Sequence, residues 1–420
     1  LKRLEIIINL NYELFIAKRI IASKQYKSSI SSPIIKIAII AISLGIVIMM
    51  IAISTGIGLQ QKIREKLAGF SGHIQITNFD SNNSEITLEP VSKNQDFYPD
   101  FKNVSNINNV QVFATKAGII RTETDFEGII FKGVDGDYDW TFFKDYLVEG
   151  SLPNFSDEIS NDVLISREIS NRLHINLGDE FNILFVKEDP SKAPWVRVVK
   201  AVGIYNSGFQ EFDESFVIAD IRHIQKMNKW SDDEVGGFEV LIGNFDEIET
   251  KSKEVYAQTS ITLNSQSVVE KYPSIFEWIG LFDTNIYLII AIMILVAGIN
   301  MITALLVLIL ERTQMVGILK ALGSNNTSIR KVFLYNAGYL ILRGLFWGNI
   351  IGLAILLTQK YTGIITLDSE TYYVSEVPIY INISYILLLN IGTLVLCLLM
   401  LIVPSVIVSK INPAKSIKFE

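Results

Sequence analysis

The chain has 420 residues, 49% of them hydrophobic, and a mean hydropathy of +0.34, which is too apolar for an ordinary soluble protein; yet 19% charged residues is too many for a chain wholly immersed in lipid. Apolar spans must therefore be segregated from a polar folded part, and the length allows two or three folding units. A single cysteine, Cys397, excludes an intrachain disulfide and a metal site built on Cys, and the net charge of −7 gives no reason to expect a nucleic-acid partner.

In chain order, residues 12–22 (YELFIAKRIIA) place apolar side chains around much of a helix, with Lys18 and Arg19 on one side. Such a segment ahead of a span reads as a helix lying in the membrane interface, or alternatively as a short cytoplasmic helix. The first span, Pro33 to Leu59, carries Lys36 as its only charge and is long enough to cross about 30 Å of hydrocarbon. It is too long and too far from the start for a cleaved signal peptide, and no small-residue cleavage site follows. The helix is expected to continue through Gln60–Leu67, with Gly69 and Gly72 ending it.

Residues 60–283 read as a mixed α/β domain. Strands are expected at His73–Thr77, Gly128–Lys132, Asp162–Ile165, Glu180–Val186, Arg197–Ile204, Ser215–Ile218 and Phe238–Ile242, with helices at Arg167–Leu173 and Asp220–Asn228. Little in this domain points to catalysis. His73, His174 and His223 are isolated, and no H-E-x-x-H, G-x-S-x-G or G-x-x-x-x-G-K-[ST] pattern occurs. The run Asp135–Asp139 has alternating carboxylates but lacks the glycine and the closing glutamate of a Ca²⁺ loop, so it reads as an acidic turn and no metal is expected. Any ATP and Mg²⁺ would be bound by another polypeptide.

Three further spans follow. Thr284–Leu310 is uncharged and is expected to be capped by Asp283 or Thr284, with Asn300 and Thr303 as interhelical hydrogen bonders. Val332–Thr358 contains Arg343, which reads either as a functional intramembrane charge or as a side chain that snorkels to the headgroups. Its Gly344, Gly348 and Gly352, like Ala41/Gly45 and Ala52/Gly56 of the first span, form a small-residue packing stripe. Ile379–Val408 is uncharged, with Pro404 near its end. The expected fold class is thus an α-helical membrane protein with four transmembrane helices and a large mixed α/β extracytoplasmic domain.

Charge bias sets the expected orientation. Residues 1–36, 311–331 and 409–420 together hold 14 Lys/Arg against four acids, whereas 59–283 holds 21 against 37. Both termini (1–33 and 409–420) and the 311–331 loop are expected in the cytoplasm against anionic lipid, with 60–283 and 359–378 outside.

Three stretches resemble a known family. Glu311-Arg-Thr-Gln-Met-Val-Gly-Ile-Leu-Lys-Ala-Leu-Gly323 resembles the E-R/K-x-x-E-I-G-I-L-(R/K)-A-L-G motif of permeases in the macrolide-exporter, cell-division and lipoprotein-releasing branches of ABC transporters, with Met315 where an acidic residue is common. Residues Pro404–Glu420 resemble that family's closing P-x₃-A-x₄-P-A-x-A-L-R-x-E, departing at Ser409 and Ile417. Gly58–Ile74, Phe131–Asp135, Leu147–Gly150, Leu177–Asp179 and Phe212–Phe216 resemble the lipoprotein-releasing permeases of the LolC/LolE type. The likeness runs over most of the chain, with one span before the outer domain and three after it.

The resemblance implies a non-catalytic permease of the bacterial inner membrane that pairs with a second permease, or with itself, and with a dimer of ATPase subunits. It would take lipoproteins from the outer leaflet and pass them to a periplasmic carrier. It implies that Glu311, Arg312, Met315, Gly317, Ile318, Leu319, Lys320, Leu322 and Gly323 dock in the ATPase, with Met315, Ile318, Leu319 and Leu322 offered as an apolar face. It implies a lipoprotein cleft between the first two spans, lined by Ile46, Met49, Met50, Ile53, Ile290, Met293 and Ile294, methionines being suited to variable acyl chains. A carrier would be gripped at the 187–195 hairpin through Pro190, Pro194 and an exposed Trp195. An efflux permease of the macrolide-exporter type is the first alternative, though that type normally carries its ATPase on the same chain. A cell-division permease is the second, and its class has a smaller outer domain.

Overall fold

The computed structural model describes residues 12–22, 32–79, 84–122, 125–155, 158–187, 191 and 193–410. Two compact units emerge, one made of Leu1–Gly58, Gly280–Ile365 and Val377–Glu420, the other of Leu59–Ile279 and Thr366–Glu376.

Four helices in the described residues are long and apolar enough to cross a membrane. The first runs Ser32–Ser71 without a break. Gly69 stays inside it and Gly72, at φ +68°, ends it; only a residue free of a Cβ takes that conformation cheaply. The second begins at Pro273 and runs to Glu311, eleven residues before the start expected at Thr284. Asp283 and Thr284 are interior, because Pro273 supplies the first-turn residue that needs no N–H. Asn300 Nδ2 and Thr303 Oγ1 are not interhelical either: they donate to Val296 O (3.0 Å) and Ile299 O (3.1 Å) of their own helix. The third helix, Asn326–Thr362, is capped by Asn325, whose side chain accepts from Ser328 N at 2.8 Å, and it stops at Gly363 (φ +58°). The fourth starts at Ile383 after the cap Asn382 rather than at Ile379, and its α-helix breaks after Met400. The Pro404 ring would meet the carbonyl of Met400.

The expected packing stripe is where the first and third helices meet. A Cβ on Gly344 would lie 2.7 Å from Ile42 Cβ, and one on Gly348 2.8 Å from Ile46 Cβ and 2.9 Å from Ser43 O. On the neighbouring face of the first helix, a Cβ on Gly56 would lie 2.6 Å from Ile286 Cδ1 of the second. The first helix is therefore held by both. The third and fourth are joined by Asn349 and Asn390, each amide donating to the other's carbonyl at 2.7 and 3.0 Å.

The second unit is built on strands β1 (Ile74–Asn78), β2 (Val91–Ser92), β3 (Ile107–Arg121), β4 (Phe126–Val134), β5 (Leu147–Gly150), β6 (Asp162–Ser166), β7 (Glu180–Phe185), β8 (Trp195–Tyr205), β9 (Phe216–Asp220), β10 (Glu234–Val235), β11 (Gly237–Ile242) and β12 (Leu263–Ser267). Ten of them form one mixed sheet in the order β12-β1-β11-β3-β4-β9-β6-β8-β5, with β7 pairing both β3 and β8. That double pairing closes β3-β4-β9-β6-β8-β7 into a ring, which removes the strand edges a flat sheet would expose. Its interior is apolar, with Phe131, Val163, Ile165, Ile183, Phe185, Ala201 and Val217 fully buried. Every expected strand is present within a few residues. β3 is the longest of the strands that the sequence hid: six consecutive buried residues at its centre replace the alternation of a one-sided strand.

Residues 366–376 also belong to this unit. Tyr373 (φ +58°) stacks on Phe209 with centroids 4.8 Å apart and meets the edge of Trp278 at 5.8 Å, while its carbonyl accepts from Lys66 Nζ at 3.0 Å.

Candidate functional site

The 311–323 segment forms a short helix, Thr313–Ala321, directly after the second long helix. It closes on Gly323 (φ +93°), whose N–H bonds Lys320 O at 3.0 Å while Ser324 N bonds Leu319 O at 3.0 Å. This is the left-handed ending that a glycine there permits. The structure divides the expected apolar face in two. Val316 and Gly317 are buried, and Met315 and Leu319 pack inward against the helical core. Ile318 (46% exposed) and Leu322 (79% exposed) face outward, and Glu311 is exposed. Lys320 and Arg312 are half-buried. Met315 and Leu319 are only partly buried there. The apolar residues that this helix turns fully outward form a narrow ridge, Ile318 and Leu322.

The support has a second layer that sequence reasoning missed. The helix Tyr12–Ala22 buries Ala17 and Ile20 against Val332, and Ile16 and Met315 complete that cluster. Tyr12 Oη and Ser324 Oγ lie 3.0 Å apart. Met315 thus anchors on the amphipathic helix at the position where the family motif commonly carries an acid. The outer side of the same helix exposes Leu14 and Phe15, with the Arg19 guanidinium 5.3 Å from the Phe15 ring centroid.

The seven residues expected to line a cleft all join one packed cluster. Ile46, Met49 and Met50 are buried, and Ile53, Ile290, Met293 and Ile294 are partly buried against them. Ile46 and Met50, however, are turned to Gly348 and Gly352 of the third helix, Met50 Sδ lying 3.1 Å from where a Gly352 Cβ would be. They pack on the third helix, because glycine at those positions lets it come that close. Met293 is on the other side, its carbonyl 3.9 Å from a Cβ on Gly45. Arg343 lies on an exposed face with its guanidinium 4.8 Å from the Tyr339 ring.

In the second unit, Trp195 is the first residue of β8, opposite Phe185, rather than the tip of a loop. It is 37% exposed, with Lys187 Nζ 4.4 Å and the Arg197 guanidinium 5.8 Å from its ring. Pro194 is exposed, and Pro190 lies outside the described residues, as does the closing segment 411–420. The carboxylates of 135–139 are used locally: Asp135 pairs with Lys93 at 2.6 Å and Asp139 accepts from Thr141 N at 2.9 Å. No group of metal ligands occurs among the described residues. His73 is pushed down to about 4 by burial, and its Nδ1 accepts from Ile242 N at 3.3 Å. His223 is likewise lowered by burial and contacts Ser160 O at 2.9 Å.

Apolar helices of spanning length, a large mixed α/β domain inserted between the first and second, and a short helix presenting an apolar ridge define a multi-pass membrane protein with a large periplasmic domain. Residues 37–270 match the MacB-like periplasmic core domain and residues 287–413 the FtsX-like permease C-terminal domain. The chain is 20% identical to the lipoprotein-releasing system transmembrane protein LolE of Haemophilus influenzae, over 97% of this chain and 99% of that one. It is 19% identical to LolC of Neisseria meningitidis over 97% and 99% of the two chains, and 20% identical to LolC of Buchnera aphidicola over 94% and 96%. The chain belongs to the type VII ABC transporter permeases, the superfamily that unites the MacB-like and FtsX-like modules.

Proposed function

We propose that this chain is a Lol-type permease subunit: it extracts lipoproteins from the outer leaflet of the inner membrane and hands them to a periplasmic carrier, driven by a separate ATPase. The observation that carries this reading is the near end-to-end similarity to LolC and LolE, through both the periplasmic core and the permease modules. Such a cargo never crosses the bilayer, so the predominantly apolar helices require no continuous polar path.

In this reading there are four transmembrane helices with both termini cytoplasmic, and the permease works as a homo- or heterodimer. The ridge of Ile318 and Leu322 seats in an ATPase groove, with Glu311, Lys320 and Gly323 around it and Met315 and Leu319 bracing it from behind. Acyl chains enter beside Met49, Ile53, Ile290, Met293 and Ile294. Pro194 and Trp195 meet the carrier. ATP and Mg²⁺ stay on the partner subunit.

The test is mild purification from the native host into nanodiscs, followed by mass spectrometry of everything that co-purifies. A stand-alone ATPase together with acylated lipoproteins, released on adding ATP and a soluble carrier, is the expected result. An ATPase accompanied by a membrane-fusion protein or a cell-wall hydrolase, without acylated cargo, would sink the substrate assignment.

A further inference from the structure

The first long helix ends at Phe70 and Ser71, and the second is immediately preceded by Lys271 and Tyr272. Both ends meet one buried polar cluster in the sheet. Lys132, near the end of β4, donates from Nζ to Phe70 O at 2.5 Å and pairs with Glu239 Oε1 of β11 at 2.6 Å; the two side chains are 1% and 0% exposed. The other Glu239 oxygen accepts from Gln111 Nε2 at 3.0 Å. Beside this pair, Tyr272 Oη donates to Glu85 at 3.0 Å and therefore accepts from Ser71 Oγ, 3.1 Å away. Lys271 Nζ bonds Glu85 at 3.1 Å and Gln75 at 2.9 Å. Gly72 closes the joint, since a Cβ there would lie 2.8 Å from Glu239 Cβ.

An apolar filling of this volume would serve stability as well or better, because a buried ion pair rarely beats well-packed hydrophobic residues. What charges add is direction. The Phe70 carbonyl is one of the acceptors left unpaired at the end of a helix, and a lysine fixed by Glu239 holds that helix end at one angle. Tyr272 then ties the start of the second helix to the end of the first. Apolar side chains would let either helix slide or rotate.

We propose that Lys132 and Glu239, with Ser71, Glu85 and Tyr272, form a force-bearing joint that fixes the first and second long helices to the periplasmic sheet, so that ATP-driven helix movement is passed to the domain. They are positioning residues: none touches cargo or nucleotide. The joint deepens the transport reading above and rests on it.

The test uses the complete complex in nanodiscs. Nitroxide labels replace Gln61, on the first helix, and Lys253, on the domain, in a chain whose only cysteine, Cys397, has been changed to Ala. In the wild type the label–label distance is expected to be a single narrow distribution. Lys132→Met with Glu239→Leu removes both charges together, so neither is stranded. The expected result is a distribution at least twofold broader, ATP hydrolysis within twofold of wild type, and at least tenfold less lipoprotein released per ATP. A narrow distribution with unchanged release per ATP overturns the joint. Should the double variant fail to fold, Tyr272→Phe decides: at unchanged melting temperature it is expected to lower release per ATP at least threefold, and unchanged release refutes the proposal. A wild-type complex that hydrolyses ATP but releases no lipoprotein would refute the transport reading instead, leaving the label widths to judge the joint.

Discussion

At the scale of single residues, burial rather than residue type decides what each group does. His73 is the clearest case: burial and the N–H it accepts hold its imidazole neutral, with the pKa at about 4 against 6.5 for the free side chain. The unfolded chain therefore binds more protons than the folded one between those values. Stability contributed by His73 is complete above pH 6.5 and falls as the pH drops toward 4, by about 3 kcal/mol in all. The expected outcome is that the melting temperature of the wild type falls more steeply between pH 7 and pH 5 than that of His73→Gln; parallel slopes would contradict it. Leu322 shows the opposite regime. At 79% exposed it contributes little to folding, so Leu322→Glu is expected to leave expression and melting unchanged while abolishing ATPase co-purification. A loss of at least tenfold is expected, because desolvating a carboxylate in an apolar groove costs several kcal/mol. Retention of the ATPase by the variant would remove the ridge from the docking surface.

Among elements, small residues determine which helices touch. Gly348 sits so close to Ile46 and Ser43 that a β-branched side chain has no room. Overpacking of this kind costs about 1–3 kcal/mol, and Gly348→Val is expected to lower the melting temperature of the membrane unit and reduce the folded yield. Gly392, with nothing within 4 Å of an added Cβ, supplies the control: Gly392→Ala should be silent in the same thermal assay. The glycine spacing was legible in the sequence as a packing stripe, but its partner was not. Any of the other spans could have supplied it, and only the fold shows that Ile46 and Met50 meet Gly348 and Gly352. The Asn349–Asn390 pair escaped notice for the same reason, since a lone asparagine in an apolar run carries no sign of what faces it.

For the whole molecule, the distribution of charge predicts topology independently of any packing detail. With Cys397 the only cysteine, single cysteines can be placed one at a time in a Cys397→Ala background. A cysteine at Lys253 is expected to react with a membrane-impermeant maleimide added to intact spheroplasts, and one at Leu322 only after lysis. The reverse pattern would invert the orientation and remove the periplasmic carrier from the functional reading. The same experiment tests whether the ridge and the domain lie on opposite sides of the bilayer, as coupling to a cytoplasmic ATPase requires.

Hydrophobic length and charge bias by themselves established the apolar helices, the large domain between the first two, and most of its strands, because spanning a bilayer and filling one side of a sheet impose local patterns of length and period. The motif at 311–323 likewise marked the short helix and its glycine ending. Only the tertiary structure decided which face of that helix is free, since Met315 and Leu319 differ from Ile318 and Leu322 in surroundings rather than in chemistry. It alone brought Lys132 and Glu239, 107 positions apart, to one helix end. Contacts across such separations depend on sheet order and helix packing, and neither leaves a periodic trace in the residues themselves.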